Sequence, residues 1–202
     1  MFALVEDGSI TKYFSGNRGF TLNGNQYSKQ VFTLWTKSER EAIGIYEVVW
    51  DNTNRKNEEY YTNTNISYAF GSGKVTASYG DATAKAHADS LYTAQDESDG
   101  KGTEGEVKTK GLKTLKKEII KKQAAGILQD TDWYVVRKAD AGTAVPSAIT
   151  THRAAVRTKS GEMETAIDNA SDVDALAALY AYTEQEDGSF TRPLGEFPVL
   201  EA

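Results

Sequence analysis

The chain has no cysteine. That one absence excludes disulfides, thiolate metal sites and a cysteine nucleophile together. Histidine is almost as scarce, with two in 202 residues. Neither His87 nor His152 has a His, Asp or Glu three or four places on, the spacing that would put a second metal ligand on the same helix face. Both read as surface or helix-face histidines. Basic excess is lacking too. The formal net charge is −6, which argues against wholesale nucleic-acid binding, because phosphate neutralisation needs a basic surface. No run approaches the ~18 apolar residues of a membrane span. The opening Met1-Phe2-Ala3-Leu4-Val5-Glu6-Asp7 carries acid where a signal peptide needs base. The expectation is a protein made and kept in solution, without membrane or nucleic-acid partner and without a cofactor.

Hydrophobic residues are 39% of the chain, on the low side for a globular protein. Two thin cores, or one completed by a partner, fit that figure, since small modules bury a smaller share of their surface.

What is present divides in two. The N-terminal part is β-like. Phe2–Val5 and the alternating Ser9–Phe14 flank Asp7-Gly8, a hairpin signal. Residues 15–30 read as a Gly/Asn-rich loop. Ser38 and Glu41 have capping-box spacing for a short helix ended by Gly44. Ile45–Trp50 is the clearest strand. Two further β segments are expected over 58–70 and 74–79. Tyr60, Thr62, Thr64, Ile66, Tyr68 and Phe70 of the first share a face by period-two counting. Gly71-Ser72-Gly73-Lys74 lacks the leading glycine and the Ser/Thr of a phosphate loop and reads as a hairpin turn.

Residues 93–108 carry little apolar weight and read as a polar linker. Beyond it the period changes. Leu112, Leu115, Ile119, Ile120, Ala124, Ile127 and Leu128 recur at helical steps and predict one apolar stripe. Thr131 offers a cap for a short helix from Asp132 that Gly142 closes. Pro146 opens another helix to about 158. Ser171-Asp172 caps a last one. The predicted architecture is α+β. A small antiparallel β-rich module (1–92) and the polar linker (93–108) lead to a helical module (109–202) with a short extended tail.

No catalytic constellation emerges. There is no Gly-x-Ser-x-Gly elbow, and the carboxylates sit in polar runs or caps. One charge pattern stands out. Lysines 108, 110, 113, 116, 117, 121 and 122 face a single acid, Glu118. The bland reading is a solvated helix face. The sharper one makes Lys113, Lys116, Lys117 and Lys121 a strip for an acidic partner or a second copy of the chain.

Two segments carry a family likeness. Phe2-Ala3-Leu4-Val5-Glu6-Asp7-Gly8-Ser9-Ile10-Thr11-Lys12-Tyr13, followed later by Gly44-Ile45-Tyr46-Glu47-Val48, resembles the opening of tail-fibre-associated and tail-fibre-assembly proteins of tailed bacteriophages. Thr131-Asp132-Trp133-Tyr134-Val135-Val136-Arg137, Val145-Pro146 and His152-Arg153-Ala154-Ala155-Val156-Arg157 are similar to the helical C-terminal module of such proteins. Glu47 stands where that family has proline, and His152 where it has tyrosine. The resemblance implies a virion component (a baseplate, fibre-network or adaptor subunit of the tail), and the missing catalytic constellation leads to the expectation that it is not an enzyme. The alternatives are a tail-fibre assembly chaperone absent from the particle and, third, a tail-associated glycan hydrolase. It also implies synthesis in the host cytoplasm and partners among other tail proteins or further copies of the chain. In this reading Trp133 is a buried anchor at a helix junction, and Arg153 and Arg157 tie helices together.

Overall fold

The computed structural model describes residues 1–200. The chain is α+β, with a β-rich N-terminal part whose main sheet is a half-barrel, followed by a helical C-terminal module. It divides into two compact units, Met1–Thr83 and Ala84–Ala202.

In the first unit five strands form the order β2-β1-β5-β8-β7. They are β1 (Phe2–Glu6), β2 (Ser9–Phe14), β5 (Ile45–Asp51), β7 (Ser67–Gly71) and β8 (Lys74–Ser78). All neighbours are antiparallel except β5 and β8, so the sheet is mixed. Alternation along β1 makes the sheet two-faced. Ala3 and Val5 point into one cluster with Val48, Val75 and Ala77. Leu4 points into another with Ile45 and Phe32, bordered by Phe2, Phe14 and Phe20. The edge strands curl towards each other, bringing the Tyr13 and Tyr68 rings to 4.9 Å.

Three two-residue turns have both central residues at positive φ, the type I′ signature that matches strand twist. They are Asp7-Gly8, Asn23-Gly24 and Ser72-Gly73. The second corrects the loop expected over 15–30. There, β3 (Phe20–Leu22) and β4 (Asn25–Tyr27) form a hairpin that stacks Phe20 on Tyr27 at 5.2 Å. The short helix α1 (Lys37–Ala42) is capped by Thr36 with Glu39, two residues ahead of the Ser38/Glu41 pair. Thr36 wins because its hydroxyl accepts from Glu39 N–H while the Glu39 carboxylate accepts from Thr36 N–H. Gly44 follows at φ +77, and a Cβ there would stand 2.7 Å from the Val5 carbonyl oxygen. The strand expected over 58–70 is broken. Only β6 (Tyr61–Thr62) and β7 are extended, and Asn65 at φ +57 reverses the chain between them, so the six-residue face does not form.

The boundary between the units falls within β9 (Thr83–Ala84). The expected linker 93–108 is folded. Strands β10 (Ser90–Leu91) and β11 (Val107–Thr109) pair across it. Between them α2 (Ala94–Ser98) carries a Thr93/Asp96 capping box. Lys108 closes the excursion on Asp96 at 2.9 Å. Composition misleads here because polar capping and ion pairing, not burial, order the segment. Helices α3 (Leu112–Gln129), α4 (Asp132–Ala141), α5 (Ser147–Asn169) and α6 (Val173–Ala178) follow, then the hairpin of β12 (Thr183–Glu184) and β13 (Phe190–Thr191). Helix α5 runs well past the expected end near 158. Its buried residues Ile149, His152, Arg153, Val156, Ser160, Met163 and Ile167 keep helical spacing throughout.

Among the described residues, no helix is long and apolar enough to cross a membrane.

Candidate protein interface

Helices α3 and α5 pack as an antiparallel pair, and the lysine cluster lies on their seam. Lys113 Nζ donates to the Asp168 carbonyl at 2.8 Å. Lys117 meets the Asp168 carboxylate at 2.7 Å, and Lys121 meets Glu164 at 3.2 Å. Lys113, Lys117 and Lys121 are four apart on α3, as Glu164 and Asp168 are on α5, so the two ladders match. Lys116 is buried at 5% exposure with its ammonium 4.3 Å from the Tyr180 ring centroid. Of the expected strip, Lys113, Lys117 and Lys121 thus have acceptors on α5, and Lys116 is buried. Helix α5 supplies acids to this face within the unit, while Lys121 stays exposed. The apolar stripe of α3 is narrower than expected. Leu112, Ile120 and Ala124 are buried, whereas Leu115 and Ile119 are exposed.

The N-terminus of α3 has no local side-chain cap. Asp89, far upstream, accepts from Gly111 N–H at 2.7 Å and from the Thr114 hydroxyl at 2.9 Å. Leu112 and Lys113 N–H donate to the carbonyls of Ala86 and His87. The hydrogen bond from Gly111, then that from Thr114, holds the Asp89 carboxyl below its ordinary range. Burial, and secondly the Lys113 charge, push the His87 imidazole below its ordinary value. Its Nε2 is buried without a hydrogen-bond partner. A neutral imidazole tolerates such a place better than a charged one.

The turn from α3 to α4 is fixed from α5. Arg153 is 8% exposed. It donates to the Leu128 carbonyl at 2.7 Å, to the Thr131 hydroxyl at 2.6 Å and to Asp132 Oδ1 at 2.8 Å. Thr131 does not cap α4 with its side chain, because its hydroxyl donates to the Leu128 carbonyl and accepts from Arg153. Arg157 is exposed and, among the described residues, donates only to the Arg153 carbonyl of its own helix, at 3.4 Å, so it does not tie helices together as expected.

Helix α4 itself has no buried residue. Trp133, read as a buried anchor, is 51% exposed. Val136 is 65% exposed and Val135 45%. The Trp133 and Tyr134 rings lie 3.9 Å apart, and the Arg137 guanidinium lies 4.5 Å from the Trp133 centroid. The helix is a short rod, moored at its N-terminal end by Arg153, carrying aromatic and branched apolar groups into solvent.

Beside this mooring lie two clefts that share His152. One, of about 410 Å³, is lined by Ser147, Thr151, His152 and Pro198–Leu200. The other, of about 320 Å³, is lined by Ile127, Asp130, Thr131, His152 and Phe197–Leu200. Among the described residues no hydrogen bond joins His152 to Asp130 or to a hydroxyl. No group of three or more His, Asp or Glu among the described residues could hold a metal ion.

The sequence reading missed Val135 and Val136 as exposed groups. Comparison with protein-family models, with curated proteins and with solved structures finds no match.

Proposed function

We propose that this chain is a structural subunit of a bacteriophage tail that works by contact with other protein chains and turns over no substrate. The tail setting rests on the resemblance of Phe2–Tyr13 and Thr131–Arg157 to tail-fibre-associated and assembly proteins. The observation that carries the contact role is α4, ten residues long with none buried and Trp133, Val135 and Val136 in solvent. An isolated helix under about 12–15 residues is marginal in water, and most helices draw stability from packing an apolar face. Exposed apolar groups concentrated on one element mark interaction sites. Helix α4 fits a role in which a neighbouring protein supplies the missing packing, with Arg153 holding its base in place beforehand.

The test is mass spectrometry of purified particles from cells that produce the chain. Presence in finished tails at a fixed ratio to other tail proteins is the expected result. Association with tail-fibre protein in the lysate but absence from finished particles would replace this reading by the assembly chaperone.

A further inference from the structure

We propose that the cleft between the first turns of α5 and the segment Pro198–Leu200 binds a carboxylate carried on a small apolar body, such as a short-chain acid or the last residue of a polypeptide.

The seat for the charge comes from the helix. The first N–H groups of any helix have no acceptor within it. In α5 the first to be satisfied is that of Thr150, which donates to the Pro146 carbonyl at 3.1 Å. Pro146 has no side-chain acceptor to offer the N–H groups before it, and the first turn carries no acid. Helix α5 is 23 residues long, and the partial positive charge at such an N-terminus favours an anion. Helical spacing puts Ser147, Ala148, Thr151, His152 and Ala155 on one face, and that face is one wall of the cleft.

His152 points to a ligand independently. It is buried at 8% exposure, yet its ring makes no hydrogen bond or ion pair among the described residues. Buried polar side chains are ordinarily paired. A molecule seated in the cleft that this ring lines would supply the partner. The neighbouring cleft holds Asp130, which repels an anion, whereas among the described residues no acid lines this one.

The lining selects the class. It offers backbone N–H groups, two hydroxyls and an imidazole, but no Lys or Arg to neutralise a phosphate dianion. Pro198, Val199 and Leu200 add apolar surface for the rest of the ligand. The chain leading to them is fixed. Leu194 is buried and its N–H donates to the Leu179 carbonyl at 3.0 Å, while Glu196 pairs with Arg192 at 2.8 Å and accepts from the Tyr182 hydroxyl at 2.7 Å. The cleft of about 410 Å³ is of small-ligand size.

The chain has two histidines, so NMR of the imidazole carbons follows His152 with His87 as an internal reference. The probes are N-acetylvaline, its carboxamide and inorganic phosphate, each titrated into the full chain. The expected result is a saturable shift of His152 with N-acetylvaline and a still His87. Carboxamide and phosphate should bind about tenfold more weakly or worse. Ser147→Asp puts an acid at an exposed position in the first turn, which suits the helix dipole, so it should keep the fold and weaken N-acetylvaline binding by about tenfold. Thr165→Asp makes the same charge change near the far end of α5 and should leave binding unchanged. A peptide ending in valine that binds more tightly than N-acetylvaline assigns the carboxylate to a polypeptide terminus, and equal binding assigns it to a free acid. No saturable shift of His152 would overturn the site. So would carboxamide or phosphate binding as well as the acid, or binding indifferent to Ser147→Asp.

Discussion

The guanidinium of Arg153 donates to the Thr131 hydroxyl at 2.6 Å, binding the N-terminal third of one helix to the turn that launches another. The same guanidinium serves the Leu128 carbonyl and Asp132, so one side chain satisfies three acceptors around the α3–α4 turn. Arg153→Ala should lower stability by about 2–4 kcal/mol, since hydrogen bonds to a buried charged group are worth more than neutral ones and its acceptors would lose their donor. Arg153→Lys should restore only part, because an ammonium cannot reproduce the planar fork. Asp132→Ala should cost less, about 0.5–1 kcal/mol, as its carboxylate is half exposed. Urea denaturation followed by circular dichroism gives the three values, and equal losses for Arg153→Ala and Asp132→Ala would contradict this ordering.

Helix α3 is capped from far upstream, and that cap should be measurable. Asp89→Ala should destabilise by about 1–2 kcal/mol, the usual cost of losing an N-cap side chain. Gly111→Ala should be worse than its helix propensity suggests, because a Cβ would stand 2.3 Å from the Ala88 carbonyl and the backbone would have to move. Thermal melts of the two variants check this, with Gly126→Ala, which meets nothing within 4 Å, as the reference.

The folded segment between β10 and β11 has a titration signature. Lys108, foremost, and the Thr93 N–H hold the Asp96 carboxyl at a pKa of about 2. An unfolded aspartate titrates near ~3.9. Asp96 therefore contributes stability above that value and loses it as pH falls through about 2. The Asp96 carboxyl carbon, followed by NMR, should show the low midpoint, and Lys108→Ala should bring it back up. An Asp96 that titrates like a free aspartate would mean that residues 93–108 are a linker after all.

Much of the fold was written in local pattern. Asp7-Gly8, the run Ile45–Trp50 and the period change at Leu112 each pointed to the element that forms there. Asn23-Gly24 was equally legible as a hairpin turn but lay in a stretch whose composition suggested a loop. Residues 93–108 were misread for a related reason: composition counts apolar weight, whereas this segment is held by a capping box and an ion pair. The interface was harder to see. Five lysines on α3, with Lys108 and Lys110 just before it, looked like a surface for an acidic partner because Asp168 and Glu164, which pair with Lys117 and Lys121, lie more than forty residues later. Trp133 looked like a core residue because indoles usually are. Whether a tryptophan at the start of a ten-residue helix is covered depends on how that helix leaves the turn, and Arg153 fixes that direction from a distance.

Helix α4 buries none of its residues among the described residues, and amide hydrogen exchange of the intact protein in dilute solution measures directly how firmly its own unit holds it. Residues 132–141 should exchange far faster than the buried turns of α3 and α5, and should gain protection on assembly with other chains. Protection of α4 equal to that of α5 at the lowest concentration would show that its own unit already holds the helix, and would contradict the reading of α4 as a surface awaiting another chain.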